Sequence, residues 1–252
     1  MVGTSLWTSS GYARRAPAAI DSEQSPVRAS VPAQLRARKA LRRRCCDPRG
    51  RILRRETPVP SNVLVINGHP DPSPDRFCSA LAAAYIAGAH AAGRQVRRID
   101  VGELDIPFVQ DAAEFAGPPP AGPLAEAQDA IAWADHVVIV HPLWLGAAPA
   151  KLKAFLEQTF RYGFAIPRPG EGPAMQGLLG GRSARVVVTM GMPAPFYRLA
   201  FDAAGTTALT RGVLWISGFR PIHRTLIGTV ETSAPARAKW LARMRAWGER
   251  GV

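Results

Sequence analysis

The stretch Asn67-Gly68-His69-Pro70-Asp71-Pro72-Ser73-Pro74-Asp75-Arg76-Phe77-Cys78 gathers a histidine, an arginine and a cysteine around a proline-broken turn. His141-Pro142-Leu143-Trp144-Leu145-Gly146-Ala147-Ala148-Pro149 sets a large aromatic ring among small residues and prolines. A third stretch of this kind is Thr189-Met190-Gly191-Met192-Pro193-Ala194-Pro195-Phe196-Tyr197-Arg198, in which Tyr197 supplies a polar tip. His69 and Arg76 offer charge and hydrogen bonds to an anion, whereas the other two stretches offer a resting place for a flat ring. No paired carboxylates, no nucleophile–base pair and no CxxC or HExxH spacing occur in the chain. These residue types suit the binding of a phosphate and a planar ring better than hydrolytic or metal chemistry. The five histidines (69, 90, 136, 141 and 223) are scattered, and structural roles suit each of them. A core position or a dimer contact is the alternative role for Trp144.

Each stretch follows an apolar run. Val63-Leu64-Val65-Ile66 is continuous rather than alternating, as expected of a parallel strand buried on both faces. Residues 136–140 and 184–190 predict two more such strands, and the half-polar runs 95–100 and 222–227 predict a second and a fifth. Helical stretches are expected over about 76–92, 124–134, 149–161, 206–217 and 235–248, with Pro149 suited to a first helical turn. Five strand–helix alternations mean a parallel sheet covered on both faces. With the first and third strands central, the order is the flavodoxin-like 2-1-3-4-5, a doubly wound α/β sheet, with its ligand crevice at the carboxyl ends of those strands. Loops 67–76, 141–148 and 190–197 should then open on one rim. The first runs into a helix N-terminus, which favours an anion such as phosphate. Neither GxGxxG nor GxxxxGK[ST] is present, so a Rossmann dinucleotide or P-loop triphosphate site loses support. Phosphate at one loop and a flat ring across the other two describe a flavin nucleotide.

The 252 residues suffice for one sizeable domain, and the net charge of +13 is unevenly spread. Residues 1–60 hold thirteen Lys and Arg against four Asp and Glu, while the remainder holds nineteen against fifteen. This Arg-, Pro- and Ser-rich segment lacks periodicity and is expected to stay disordered, apart from a short basic helix over 34–44. It is read as an extension upstream of a domain at 61–252. It has no apolar core of signal-peptide length, few aromatics, and no recognisable nucleic-acid module, so no nucleic-acid partner is expected. No run approaches the ~18–20 apolar residues of a membrane-spanning helix, so no stable membrane insertion is expected. Three cysteines, two of them adjacent (Cys45, Cys46), make no disulfide framework, and a reducing cytoplasm is the expected compartment.

The blocks NGHPDPxPDRFCxALAxAY, HPLWLGxxPAxLKAFLEQTF and VVVTMGMPAPFYR resemble, in order and spacing, the signature blocks of the flavodoxin-like NAD(P)H:quinone oxidoreductases, the DT-diaphorase-like and modulator of drug activity group. The resemblance covers roughly residues 62–230. It implies that His69, Arg76, Phe77 and Cys78 line the flavin phosphate and ribityl site, and that Pro142, Leu143, Trp144 and Leu145 present backbone to the isoalloxazine ring. It further implies that Thr189, Met190, Gly191 and Met192 meet the pyrimidine edge, and that Tyr197 faces the substrate. Three departures stand out. Trp144-Leu145 replaces two tryptophans, Thr189-Met190-Gly191-Met192 replaces a TTGG-like loop, and Ala203 stands where the diaphorases place a histidine paired with the tyrosine. The last departure puts a Tyr–His proton relay in doubt.

The family chemistry is ping-pong: NAD(P)H delivers a hydride to FMN or FAD and leaves, and a quinone or another flat acceptor, such as a nitro or azo compound, takes two electrons from the same face. The cofactor carries the hard step, which accounts for the lack of a nucleophile–base pair. The resemblance also implies a homodimer, with a partner subunit closing the wet side of the ring, and the Trp-bearing segment 142–149 is consistent with it. An electron-carrier flavodoxin is disfavoured, since the phosphate loop is not Thr/Ser/Gly-rich and the domain is slightly basic. A regulatory subunit of a potassium-efflux antiporter, a role known among close relatives, is the other alternative.

Overall fold

A computed structural model of the chain describes residues 60–118, 120–171 and 176–252. Residues 1–59, with the short helix expected over 34–44 and the Cys45–Cys46 pair, lie outside the described residues. Five parallel strands run β1 (Asn62–Asn67), β2 (Gln95–Asp100), β3 (His136–Pro142), β4 (Ser183–Thr189) and β5 (Ile222–Ile227), and they form one sheet of order β2-β1-β3-β4-β5. Val65 lies opposite Arg98 of β2 on one side and Val138 of β3 on the other. The three continuous apolar runs take the three central places, where both faces are covered. The two mixed runs take the edges, where Arg97, Arg98, His223 and Arg224 reach solvent.

The helices are α1 (Phe77–Ala91), α2 (Ala112–Ala116), α3 (Pro123–Trp133), α4 (Ala150–Thr159), α5 (Ala194–Ala200), α6 (Ala204–Thr207) and α7 (Ala234–Arg250); α6 continues as a π-helix over Ala208–Trp215. Strand alternation divides the core between the two faces of the sheet. Val63, Val65, Val138 and Val140 pack under α1 and α7 with Leu81, Tyr85 and Met244. Leu64, Ile66, Val137 and Ile139 pack under α3, α4 and the π-helix with Ile131, Leu152, Phe155 and Leu214. Each such aliphatic side chain taken from water stabilises the fold by about 1.5–3 kcal/mol. Two glycines let α1 and α7 come close: a Cβ at Gly88 would strike the Arg245 carbonyl, and one at Gly248 the Tyr85 carbonyl. Ser233 caps α7 by accepting a hydrogen bond from the Ala236 N–H, and Gly251 ends it at φ 69°.

The structure departs from the sequence reading in three places. The loop expected over 190–197 ends at Pro193, after which α5 begins. The helix expected over 206–217 starts earlier and runs mostly as a π-helix. Helix α2, capped by the Asp111 carboxylate on the Glu114 N–H at 2.7 Å, was not expected.

Candidate functional site

The carboxyl ends of β1, β3 and β4 open on one rim, and the loops that leave them are tied together there. In the first loop Gly68 N–H donates to the Val140 carbonyl at 2.7 Å, which holds the loop over β3. His69 Nδ1 sits 3.0 Å from both the N–H and the carbonyl oxygen of Asp71, which clamps the ring onto the turn. Burial holds the His69 pKa below its ordinary value, and the Asp71 carbonyl opposes that shift. Arg76 bonds the Asp71 carboxylate at 2.6 Å on an exposed surface. The Ser73 N–H first, and then Arg76, hold the Asp71 carboxyl below the usual range. Helix α1 starts with no side-chain cap and no acidic residue in its first turn. Its first N–H groups, at Phe77, Cys78 and Ser79, have no acceptor within the helix. Cys78 is buried and its thiol lies 3.3 Å from Thr189 Oγ1, which joins the start of α1 to the end of β4. Burial pushes that thiol up to about 11, so at neutral pH it packs and does not react.

The second loop continues the ladder before it turns: Leu143 N–H donates to the Thr189 carbonyl at 2.7 Å. Trp144 and Ala147 then exchange backbone hydrogen bonds of 2.9 and 3.0 Å around Leu145 and Gly146, whose φ values are 47° and 80°. Two central residues at positive φ make a tight hairpin turn that favours Asn-Gly, and leucine is strained in it. Leu145 is fully exposed and has no packing to offset the strain. In the monomer, where nothing packs on this side chain, Leu145→Asn should therefore stabilise the chain by about 1 kcal/mol and raise Tm by roughly 2–4 °C. Thermal denaturation checks this, and an unchanged Tm would mean that the turn holds no strain. Pro142 is buried, Leu143 half-buried, and Trp144 is 50 % exposed with its ring edge-on to His69 at 6.0 Å. The first two loops thus meet.

In the third loop Met190 N–H donates to the Ile227 carbonyl at 2.8 Å. Thr189 and Met190 are buried, Gly191 is exposed and Met192 half-buried. Tyr197 follows in α5. Its side chain is fully buried, its hydroxyl donates to the Gly146 carbonyl at 3.0 Å, and it accepts from the Thr206 N–H at 3.2 Å. An O–H spent inside the molecule does not face an acceptor on the rim, and the expectation that Tyr197 faces the substrate is corrected accordingly. Its work is to tie the second loop to α6. Gly205 completes that joint, because a Cβ there would strike the Gly146 carbonyl and lie 2.6 Å from the Ala147 Cα. Beside the joint, Phe196 (54 %), Leu199 (84 %) and Phe201 (44 %) stand exposed at the rim, with Phe196 and Phe201 edge-to-face at 6.1 Å. Sequence reasoning did not single out these three. The i, i+3 spacing of Phe196 and Leu199 is the only signal they carry, and it is the same for a core-facing helix.

Residues 61–248 match the family described as the flavodoxin-like fold. The chain is similar to the glutathione-regulated potassium-efflux system ancillary protein KefF of Enterobacter sp. (strain 638), at 28% identity over 134 residues, 50% of this chain and 72% of that protein. Among solved structures it is similar to an NAD(P)H:quinone oxidoreductase from Methanothermobacter marburgensis, with TM-score 0.63 and 21% identity, covering 75% of this chain and 96% of that one. An FMN-dependent NADH-azoreductase from Bacillus anthracis, solved in complex with FMN, has TM-score 0.56 and 15% identity over 75% of this chain and 98% of its own. With three quarters of its length in the family match, and with the strand order and rim that this fold requires, the chain belongs to the flavodoxin-like fold family.

Proposed function

We propose that the protein is a flavin-dependent oxidoreductase that passes two electrons from NAD(P)H to a quinone or another flat acceptor such as a nitro or azo compound. The observation that carries this reading is one rim on which an uncapped helix N-terminus adjoins a backbone shelf made by two further loops. The residues fit the cofactor. N–H groups at Phe77, Cys78 and Ser79 would hold the 5′-phosphate, with His69 and Arg76 beside them. The backbone of Pro142, Leu143, Trp144 and Leu145 and of Thr189, Met190, Gly191 and Met192 would support the ring. A bound flavin supplies hydride uptake and release, and the chain supplies position and a dry wall on one side. The neighbour solved with FMN favours FMN over FAD. Trp144, Leu145, Phe196, Leu199 and Phe201 form the exposed apolar margin of the shelf, and a second copy of the chain would cover it in a homodimer.

Tyr197 acts in this reading as a positioning residue. Tyr197→Phe leaves the buried Thr206 N–H without its acceptor, which costs about 1–3 kcal/mol. Both half-reactions, reduction by NADPH and reoxidation by quinone, should slow together, because the ring-bearing loop loosens for both. Stopped-flow traces of each half check this; slowing of reoxidation alone would restore the hydroxyl to the acceptor.

The reading itself is tested by quinone-dependent oxidation of NADH and NADPH by the full chain supplied with FMN. Turnover well above that of free FMN is expected, and turnover equal to free FMN would overturn it. The similarity to KefF favours a second reading, an ancillary subunit of a membrane transporter. In that case the protein would co-purify with a transporter and show little turnover on its own.

A further inference from the structure

A second set of polar groups lies at the amino end of the sheet, away from the rim. His136 begins β3, and Arg185 of β4 is in register with His223 of β5. Strand alternation puts His136 and Arg185 on the face that carries Val138, Val140 and Val187, the face covered by α1 and α7. From α1 the Tyr85 ring lies nearly parallel over His136, with centroids 6.2 Å apart and planes at 19°. From α7 the Trp247 ring covers the Arg185 guanidinium at 3.9 Å. Tyr85 and His136 are fully buried and Arg185 is 6% exposed.

Their protein contacts satisfy only part of this set. Arg185 Nη1 donates to Thr225 Oγ1 at 3.1 Å, and His136 Nδ1 meets Ser183 Oγ at 2.7 Å. The Tyr85 hydroxyl, Arg185 Nε and His136 Nε2 are buried with no hydrogen-bond partner among the described residues. When the Ser183 hydroxyl donates to Nδ1, Nε2 carries the ring proton and all three orphaned atoms are donors. No carboxylate is ion-paired with Arg185 among the described residues. The charged groups around the set are positive: Arg250 acts on Arg185, and Arg94 acts on both Tyr85 and His136. Buried cations are normally paired, because leaving one unpaired costs several kcal/mol. A water molecule would satisfy the donors and leave the charge facing only the Trp247 ring. A doubly charged oxyanion would exceed the single guanidinium charge and carry a larger desolvation cost.

We propose that Arg185, Tyr85 and His136 form a buried site for a small monovalent anion of the halide class, which fastens α1 and α7 to the sheet. Burial lowers the Arg185 pKa to about 10 and the His136 pKa to about 3, so at neutral pH the first is a cation and the second a neutral donor. The site is independent of the rim and of its ligand.

Thermal unfolding of the full chain in sodium chloride, bromide and gluconate at equal ionic strength tests the proposal. Both halides should raise Tm above its value in gluconate, increasingly with concentration, as a ligand of the native state does. Arg185→Met should abolish the difference between halide and gluconate. Should that variant fail to fold, Tyr85→Phe, which removes one donor, should weaken the apparent halide affinity about tenfold. Crystals grown in bromide should show an anomalous peak beside Arg185. Equal Tm in all three salts, or bromide crystals with no anomalous peak at Arg185, would overturn it.

Discussion

Gly205→Ala is expected to weaken flavin binding about 100-fold, even though alanine is the better helix former. On propensity alone the substitution inside α6 should stabilise by about 1 kcal/mol. The added methyl, however, meets the Gly146 carbonyl and the Ala147 Cα, both backbone atoms of the tight turn that carries Trp144 and Leu145. Backbone cannot step aside as the end of a side chain can, so the turn must shift as a unit. Overpacking of this kind costs about 1–3 kcal/mol, and the shelf moves by a good fraction of a bond length. A cofactor held by backbone contact loses that contact everywhere along the turn at once, and about 3 kcal/mol of binding energy corresponds to the stated factor. Titration of apoprotein with FMN, followed by quenching of flavin fluorescence, measures it. Wild-type affinity in Gly205→Ala would mean that the second loop does not carry the ring.

The second large effect is acid destabilisation shared by the buried His136 and His141, of which His141 lies next to the candidate site. This histidine lies one residue before the end of β3, beneath the second loop; it is 1% exposed, and its Nε2 has no partner among the described residues. Burial is the main cause that lowers its pKa to about 4, against an ordinary value of 6.5, while the Pro142 carbonyl opposes the shift. The folded pKa lies below the unfolded one, so the unfolded chain binds the proton more readily. The stabilisation from the neutral ring is complete above about pH 6.5 and is lost as pH falls towards 4. The loss is on the order of 3 kcal/mol, a large share of a typical domain's stability. Urea midpoints at pH 7 and pH 4.5, for wild type and His141→Leu, should show a smaller drop in the variant. Equal drops would assign the acid sensitivity to other groups.

Much of the frame was legible because it rests on periodicity. Val63–Ile66, 137–140 and 186–188 are continuous apolar runs, and such runs have stable places only at the centre of a covered parallel sheet. The half-polar runs, with Arg97, Arg98 and Arg224, then fall to the edges. The three rim loops follow from strand direction alone. What stayed hidden depends on partners distant in sequence. The Tyr197 hydroxyl finds a backbone carbonyl 51 residues away, and no local pattern distinguishes that inward turn from an outward one. Pro193 and Pro195 read as loop residues, yet they occupy the N-cap and first turn of α5, where a missing N–H costs nothing. Leu145-Gly146 lacks the Asn that marks its turn type, so the turn was invisible until its φ values were known. The π-helical run at 208–215 has helical periodicity and differs only in its hydrogen-bond register, which composition does not encode.

The central claim, a flavin seated on the rim of β1, β3 and β4, is tested most directly by the cofactor itself. Full-length protein purified without added flavin, or incubated with FMN and FAD and then desalted, should be yellow. Denaturation should release close to one flavin per chain, identified as FMN or FAD by absorbance and mass. Protein that stays colourless after incubation with both flavins would contradict the account.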